Sequence, residues 1–415
     1  MNALDLIYLG VAIGTAPRWR RKARGGWPQR FGRIENVPHR GDDAGRRRPR
    51  LLLHAVSVGE VNALRWLVPL LAPDAHIIVS ATTDTGLARA EELFAGACDV
   101  RRFPLDASWA VRRVLDAVRP DAVGLVELEL WPNFMKACRG RGIPVAVISG
   151  RLSERSFRGY RKLRPLIRPM FAQLAAVGAQ DEAYAERFAA MGVRPDRLSV
   201  TGSTKWDVAP PADDGRAAAL AEAMGIDRAR PLVVAGSTGP GEEALLHESV
   251  APGVQLLCAP RKPERFEEAA AAMPGCARRS GGQRGAPGTD RFLLDTLGEL
   301  GAAYALADVV VVGRSFGDLF GSDPIEPAAL GRPILIGPAY GDFQQAVEAL
   351  RAAGALIVTG HDRVGRDLAG LLEDPARRSA MGEAGRRAVA ERRGASARHA
   401  EMLRRLLRSG SDCVQ

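Results

Sequence analysis

The sequence predicts an α/β protein built from two doubly wound domains of similar size. Three observations carry this. Short apolar runs rich in Val, Ile and Leu recur along the chain, and segments with helical spacing separate them. Near the middle, a Pro- and Asp-containing stretch divides the series in two. Fully apolar strands alternating with helices indicate parallel sheets covered on both faces.

In the first half the predicted strands are 51–56 (LLLHAV), 76–80, 121–126, 143–149, 174–178 and 198–202. In the second half they are 231–236, 254–259, 308–313, 332–336 and 355–358. Between the halves, 206–230 carries Asp207, Pro210, Pro211, Asp213 and Asp214 and reads as a linker running into a helix. The expected division is a membrane-associating helix with its basic flank at 1–25, an acceptor domain at 26–205, the linker at 206–230, a nucleotide domain at 231–375 and a C-terminal helix packing across the domains at 376–415. In such sheets ligands bind beyond the C-terminal strand ends, so two facing domains place the site in a cleft. Residues 275–290 read as a mobile loop, and 376–408 as one long Arg/Ala/Glu helix.

Residues 3–17 are mostly apolar, and Arg18, Arg20, Arg21, Lys22 and Arg24 follow at once. A secretory signal has the reverse order, with charge before the apolar run. Apolar helix then basic flank fits an interfacial anchor at anionic lipid headgroups. The competing reading is a first helix packed on the protein's own core; Asp5 lies within the run.

Composition narrows the function classes. With 415 residues and 46% hydrophobic content the chain buries large cores, which excludes global disorder. The charge is +10, and only five of the 58 basic residues are Lys. Arg suits bidentate grip on phosphate and carboxylate. It is dispersed, and no nucleic-acid-binding motif accompanies it, so nucleic acid is not an expected partner. The five Cys form no CxxC pair, and the six His no HExxH, so neither a disulfide framework nor a zinc site is expected.

Five stretches carry candidate chemistry. Ser57-Val58-Gly59-Glu60 follows the first strand. It is either a capping box or a general base, Glu60, at a strand's C-terminal edge. Glu127 and Glu129 end the 121–126 strand, and alternation would put both carboxylates on one side. The loop 235–243 (AGSTGPGEE) opens a helix after a strand, where backbone N–H groups hold phosphate; Ser237 and Thr238 are the candidates. Arg261, beside Pro260, ends the 254–259 strand. In Asp323-Pro324-Ile325-Glu326, Asp323 is the expected N-cap, Pro324 N1 and Glu326 N3. The functional alternative has Glu326 accepting ribose hydroxyls. Together they place a nucleotide site in the second half and a base in the first, the logic of a two-domain glycosyltransferase of the GT-B type.

These blocks resemble the 3-deoxy-D-manno-octulosonic acid (Kdo) transferases of lipid A assembly, over nearly the whole chain. The matching stretches include GWPQRFG (26–32), HAVSVGE (54–60), ATTDTG (81–86), ELELWPN (127–133), RLSERS (151–156) and TGSTKWD (201–207). In the second half they include AGSTGPGEE (235–243), APRKPERF (259–266), DTLGELGAAYALAD (295–308) and DPIEPAALGRPILIGP (323–338). The resemblance implies metal-independent transfer of Kdo from CMP-Kdo, without a further cofactor, to a lipid A precursor at the cytoplasmic face of the inner membrane. It implies Glu60 as the base, with Glu127 and Lys205 stabilising the transition state. It also implies CMP contacts from Pro260, Arg261, Leu297, Gly298, Glu299 and Asp323 through Glu326. The chain departs from the family pattern at Gly313-Arg314, at Gly321-Ser322-Asp323-Pro324 and at Ala339-Tyr340-Gly341-Asp342-Phe343. All three surround the expected donor site, so transfer of another sugar, or an inactive lipid-binding relative, is the alternative.

Overall fold

The computed structural model describes residues 2, 4–6, 8, 25–38, 47–207, 214–282 and 284–411. The chain divides into two compact units. One comprises Met1–Asp207 with Arg393–Gln415, the other Val208–Arg392.

The first unit is a seven-stranded parallel sheet: β1 (Arg50–Ala55), β2 (His76–Ala81), β3 (Asp99–Arg102), β4 (Ala122–Val126), β5 (Val145–Gly150), β6 (Ala176–Ala179) and β7 (Leu198–Val200). Their order is β3-β2-β1-β4-β5-β6-β7, with β1 paired to both β2 and β4. The alternation of side chains sorts β1 between two cores. Leu52 packs into the cluster with Phe134 and Phe188, while Leu51, Leu53 and Ala55 join the one with Leu403 and Leu407. Both faces are thus covered, which explains why these strands read as unbroken apolar runs.

The second unit repeats the plan. Its strands are β8 (Leu232–Thr238), β9 (Gln255–Pro260), β10 (Ala277–Arg278), β11 (Arg291–Leu293), β12 (Val309–Val312), β13 (Ile334–Ile336) and β14 (Leu356–Val358). They run in the order β10-β11-β9-β8-β12-β13-β14, again all parallel. In each sheet the strand order reverses direction beside one strand, β1 or β8. The loops leaving β1 and β4, and those leaving β8 and β12, therefore flank the switch point where α/β sheets bind ligands.

Four expectations change. The 206–230 stretch contains helix Asp214–Met224, which packs on helix Leu300–Leu306 as part of the second unit. The single C-terminal helix is two: Pro375–Arg392 in the second unit and Ala395–Ser411 in the first. Gly394 separates them at φ 91°, a left-handed conformation that ends helices. Strand β10 lies inside the expected 275–290 loop, and Ser280 is tied to Asp295 through its N–H at 2.7 Å. Finally, β4 stops at Val126, so Glu127 and Glu129 lie beyond the strand.

Among the described residues no helix is long and apolar enough to cross a membrane. Residues 9–24, the main part of the expected anchor, lie outside the described residues. Of the preceding ones, Asp5 is buried and accepts from the N–H of Ser108 at 2.7 Å and from its hydroxyl at 2.5 Å. Asn2 donates its side-chain amide to Asn133 at 2.7 Å, and the Tyr8 hydroxyl donates to Asp106 at 3.1 Å. Asn2, Asp5 and Tyr8 thus make polar contacts within the first unit. That explains the acid within the apolar run.

Candidate active site

Glu60 sits on the third residue of helix Val58–Ala63, directly after β1. Neither bond of the expected capping box forms. The Ser57 hydroxyl does not cap the helix; it donates to Glu60 Oε1 at 3.1 Å. Glu60 Oε2 accepts from the N–H of Val56 at 2.8 Å, one residue before the position a capping box uses. The ATTDTG block supports this loop: the N–H of Thr83 donates to the carbonyl of Val56 at 3.1 Å and its hydroxyl to the same carbonyl at 2.9 Å. Asp84 of that block pairs with the buried Arg30 at 3.0 Å, joining GWPQRFG to it.

Glu127 follows β4 in a left-handed conformation, φ 59°, an arrangement seldom adopted outside glycine and enriched at functional sites. Its N–H donates to Ile148 at 3.0 Å. Lys205 Nζ lies 3.4 Å from Glu127 Oε1, on the TGSTKWD stretch after β7. Burial raises the Glu60 carboxyl above its ordinary range. The Glu127 charge adds to this, while the Val56 N–H, the Ser57 hydroxyl and Lys205 oppose it. A raised carboxyl takes up a proton more readily, which is what a general base requires.

Glu129 is the residue whose role the sequence reading missed. Burial pushes it up to about 7, with help from the Glu60 and Glu127 charges and against a hydrogen bond from Trp131 Nε1 at 2.9 Å. Three carboxylates, Glu60, Glu127 and Glu129, thus share one field at the switch point. The turn at Glu127 brings this about, not strand alternation. The pattern Glu-x-Glu beyond an apolar run was the available signal.

The second unit assembles its residues around a buried frame. Ser237 is left-handed at φ 58°, and the Thr238 hydroxyl donates to the buried Glu243 at 2.6 Å. That hydroxyl is a structural bond, so the phosphate reading of Ser237 and Thr238 rests on backbone. Glu242 is 4% exposed and accepts from four backbone N–H groups: Gly239 at 2.7 Å, Arg314 at 2.7 Å, Ser315 at 2.8 Å and Phe316 at 3.0 Å. It joins the loops after β8 and β12, and one of the amides expected for phosphate, that of Gly239, is its partner. Arg265 pairs with Glu243 at 2.9 Å and donates to the carbonyl of Thr238 at 3.1 Å. Sequence reasoning had no signal for these buried charges, since Glu-Glu after a loop reads equally as a solvated helix start.

Pro260 ends β9, and the exposed Arg261 is anchored through its N–H to the Thr238 carbonyl at 3.1 Å. Leu297 is 74% exposed and Gly298 left-handed. Glu299 accepts from Arg279 at 3.0 Å; burial pushes its carboxyl up, but Thr296 and Arg279 hold it below its usual value. Helix Ile325–Ala329 begins one residue later than expected. Pro324 is the N-cap, and Asp323 accepts the N–H of Ile325 at 2.9 Å. A Cβ added at Gly301 would stand 2.8 Å from Glu326 Oε1, so the glycine makes room for that carboxylate. Glu326, Asp323 and Arg261 all act electrostatically on the buried Tyr304 hydroxyl, whose pKa burial raises strongly. A Cβ added at Gly236 would meet the Tyr304 hydroxyl, so that glycine makes room for the ring. Among the described residues, no group of three or more His, Cys, Asp or Glu forms a metal-holding cluster.

The chain is similar to known proteins along most of its length. Residues 25–208 match the family described as 3-Deoxy-D-manno-octulosonic-acid transferase (kdotransferase). The chain is 38% identical to 3-deoxy-D-manno-octulosonic acid transferase from Bordetella pertussis, over 96% of this chain and 98% of that one. It is 30% identical to the protein of the same name from Haemophilus influenzae, over 97% of this chain and 95% of the other. In fold it is similar to UDP-GlcNAc 2-epimerase from Neisseria meningitidis bound to UDP-GlcNAc. That match has a TM-score of 0.56 and 15% identity, and covers 85% of this chain and 99% of that one. The resemblance first seen in the motifs is therefore one of descent: the chain belongs to the 3-deoxy-D-manno-octulosonic acid transferase family and is a glycosyltransferase.

Proposed function

We propose that the protein transfers Kdo from CMP-Kdo to a hydroxyl of a lipid A precursor resembling lipid IVA, with inversion at the anomeric carbon. Glu60 takes the proton of the acceptor hydroxyl. The freed oxygen forms a bond to the anomeric carbon of Kdo, and CMP leaves with the electron pair of the broken carbon–oxygen bond. Lys205, held by Glu127, stabilises the negative charge that develops in the transition state. In the second unit, Arg261 and the backbone after β8 hold the CMP phosphate. Pro260, Leu297 to Glu299, and Asp323 to Glu326 receive the nucleoside. Charge compensation runs through Lys205 and Arg261 rather than a metal ion. The reaction takes place at the cytoplasmic face of the inner membrane.

One observation carries this reading. Glu60 stands at the switch point with its carboxyl raised by burial, in the field of Glu127, which is itself paired with Lys205 at 3.4 Å. Mass spectrometry of lipid products from CMP-Kdo and a tetraacylated lipid A precursor tests it. The expected product is heavier than the acceptor by one or more Kdo units. Unchanged acceptor, with turnover of a different sugar nucleotide, would instead assign another donor to the site around Arg314 and Tyr340.

A further inference from the structure

The first unit carries an unusual surface. Helices Glu154–Lys162 and Arg164–Ala172 form a hairpin joined at Leu163. Its inner side packs through Phe157, Ile167 and Met170 onto the core cluster that also receives Leu128 and Leu130 of the Glu127–Glu129 loop. Its outer side is exposed, and the first of the two helices buries no residue at all. Leu166 is 77% exposed and Leu163 is 55% exposed, so two large aliphatic side chains stand at the turn. Between 151 and 170 there are seven Arg and Lys against a single acid, Glu154. That acid is shared by Arg158 at 2.8 Å and Arg187 at 3.3 Å. Exposed apolar residues set among basic ones mark a surface for an anionic, partly apolar partner.

We propose that this hairpin is the surface that seats the protein on an anionic bilayer, with Leu163 and Leu166 in the interface and the surrounding Arg and Lys at the headgroups. The proposal deepens the lipid-acceptor reading and rests on it. Charge complementarity selects the occupant. A second copy would bring the same surplus of positive charge against itself, which a self-complementary contact disfavours. Nucleic acid would satisfy the charge but gives the two leucines no role. The hairpin also borders the candidate site: its Phe157, Ile167 and Met170 pack on the same core cluster as Leu128 and Leu130, which flank Glu129. A glycolipid in the bilayer would thus reach Glu60 and Glu127 from the side the hairpin faces.

The test uses the full chain and vesicles of equal parts phosphatidylglycerol and phosphatidylcholine, with partition read by co-sedimentation. Replacing Arg155, Arg161 and Lys162 together by Gln should lower partition roughly a hundredfold, at about fivefold per charge. Leu166→Ser, at an exposed position where the fold is not at stake, should lower it about tenfold. Its turnover on a water-soluble, deacylated acceptor should stay at the parent value, while turnover on a vesicle-embedded acceptor falls. Unchanged partition in both variants would overturn the proposal. So would a dimer that Leu166→Ser dissociates, or RNA binding by the parent chain that the triple Gln variant loses while its vesicle partition stays intact. Partition is read without turnover, so a failure of the Kdo-transfer assay would not be mistaken for a failure of this surface.

Discussion

The carboxylate of Asp207 accepts the backbone N–H of Ser396 at 2.5 Å. It also accepts that of Gly394 at 2.6 Å, and so caps helix Ala395–Ser411. Arg398 of that helix donates to the carbonyl of Thr201 at 2.8 Å, and His399 Nε2 accepts from the N–H of Ser149 at 3.0 Å. The stretch bearing Lys205 is therefore pinned at both ends by the last helix. Asp207→Ala should cost about 2 kcal/mol of stability, the upper end of a cap loss. It should also lower kcat by more than Asp207→Asn, which keeps one acceptor. Thermal unfolding and steady-state kinetics on the same preparations check both.

Glu242 has four backbone donors and little solvent. In Glu242→Gln a carboxamide N–H₂ would face N–H groups it cannot satisfy. Stability should fall by about 3 kcal/mol, and the protein should bind CMP more weakly as the loops after β8 and β12 part. Denaturant unfolding with calorimetric CMP titration would read both; an unchanged midpoint would contradict the frame described above.

Arg314, at one of the departures from the pattern the motifs resemble, has a φ of 58°. A side chain in the left-handed region costs about 1 kcal/mol, which glycine avoids at some expense in unfolded-state entropy. Arg314→Gly should leave the fold intact and raise the melting temperature slightly, since only one weak side-chain bond, to Leu319 at 3.3 Å, is lost.

Glu129 gives the pH dependence. Its carboxyl is raised from 4.5 to about 7, first by burial and next by the charges of Glu60 and Glu127. The folded state thus holds a proton that the unfolded chain has released over that interval, so stability falls as pH rises through it. Glu129→Gln should flatten the slope of melting temperature against pH between these values. A slope unchanged by the substitution would show that Glu129 does not hold that proton.

Most strands legible in the sequence were apolar runs buried on both faces; the edge strands β7 and β14, more exposed, were read from their aliphatic residues. Strand β3 (DVRR) was not, because as a polar edge strand it carries no apolar run. Strands β10 (AR) and β11 (RFL) were not, because short strands that include an Arg leave no apolar run. Glu60, Glu127 and Lys205 were singled out by motif, but the pairing of Lys205 with Glu127 was not legible. It depends on a left-handed turn at Glu127 and on a chain segment 78 residues away. Glu242 and Arg265 were missed, and Glu129 was named without its role, because burial, not residue type, separates a structural carboxylate or guanidinium from a solvated one. The break after Arg392 left a signal in Gly394 that the surrounding Arg/Ala run concealed.

The base at Glu60 is the central claim, and Glu60→Gln tests it most directly. The carboxamide preserves size and one acceptor oxygen but cannot take a proton. Transfer of Kdo to the lipid acceptor, followed by mass spectrometry, should fall by at least about a hundredfold, the lower range for loss of a general base, while CMP-Kdo affinity stays near the parent value. Turnover in Glu60→Gln comparable to the parent protein would contradict the account.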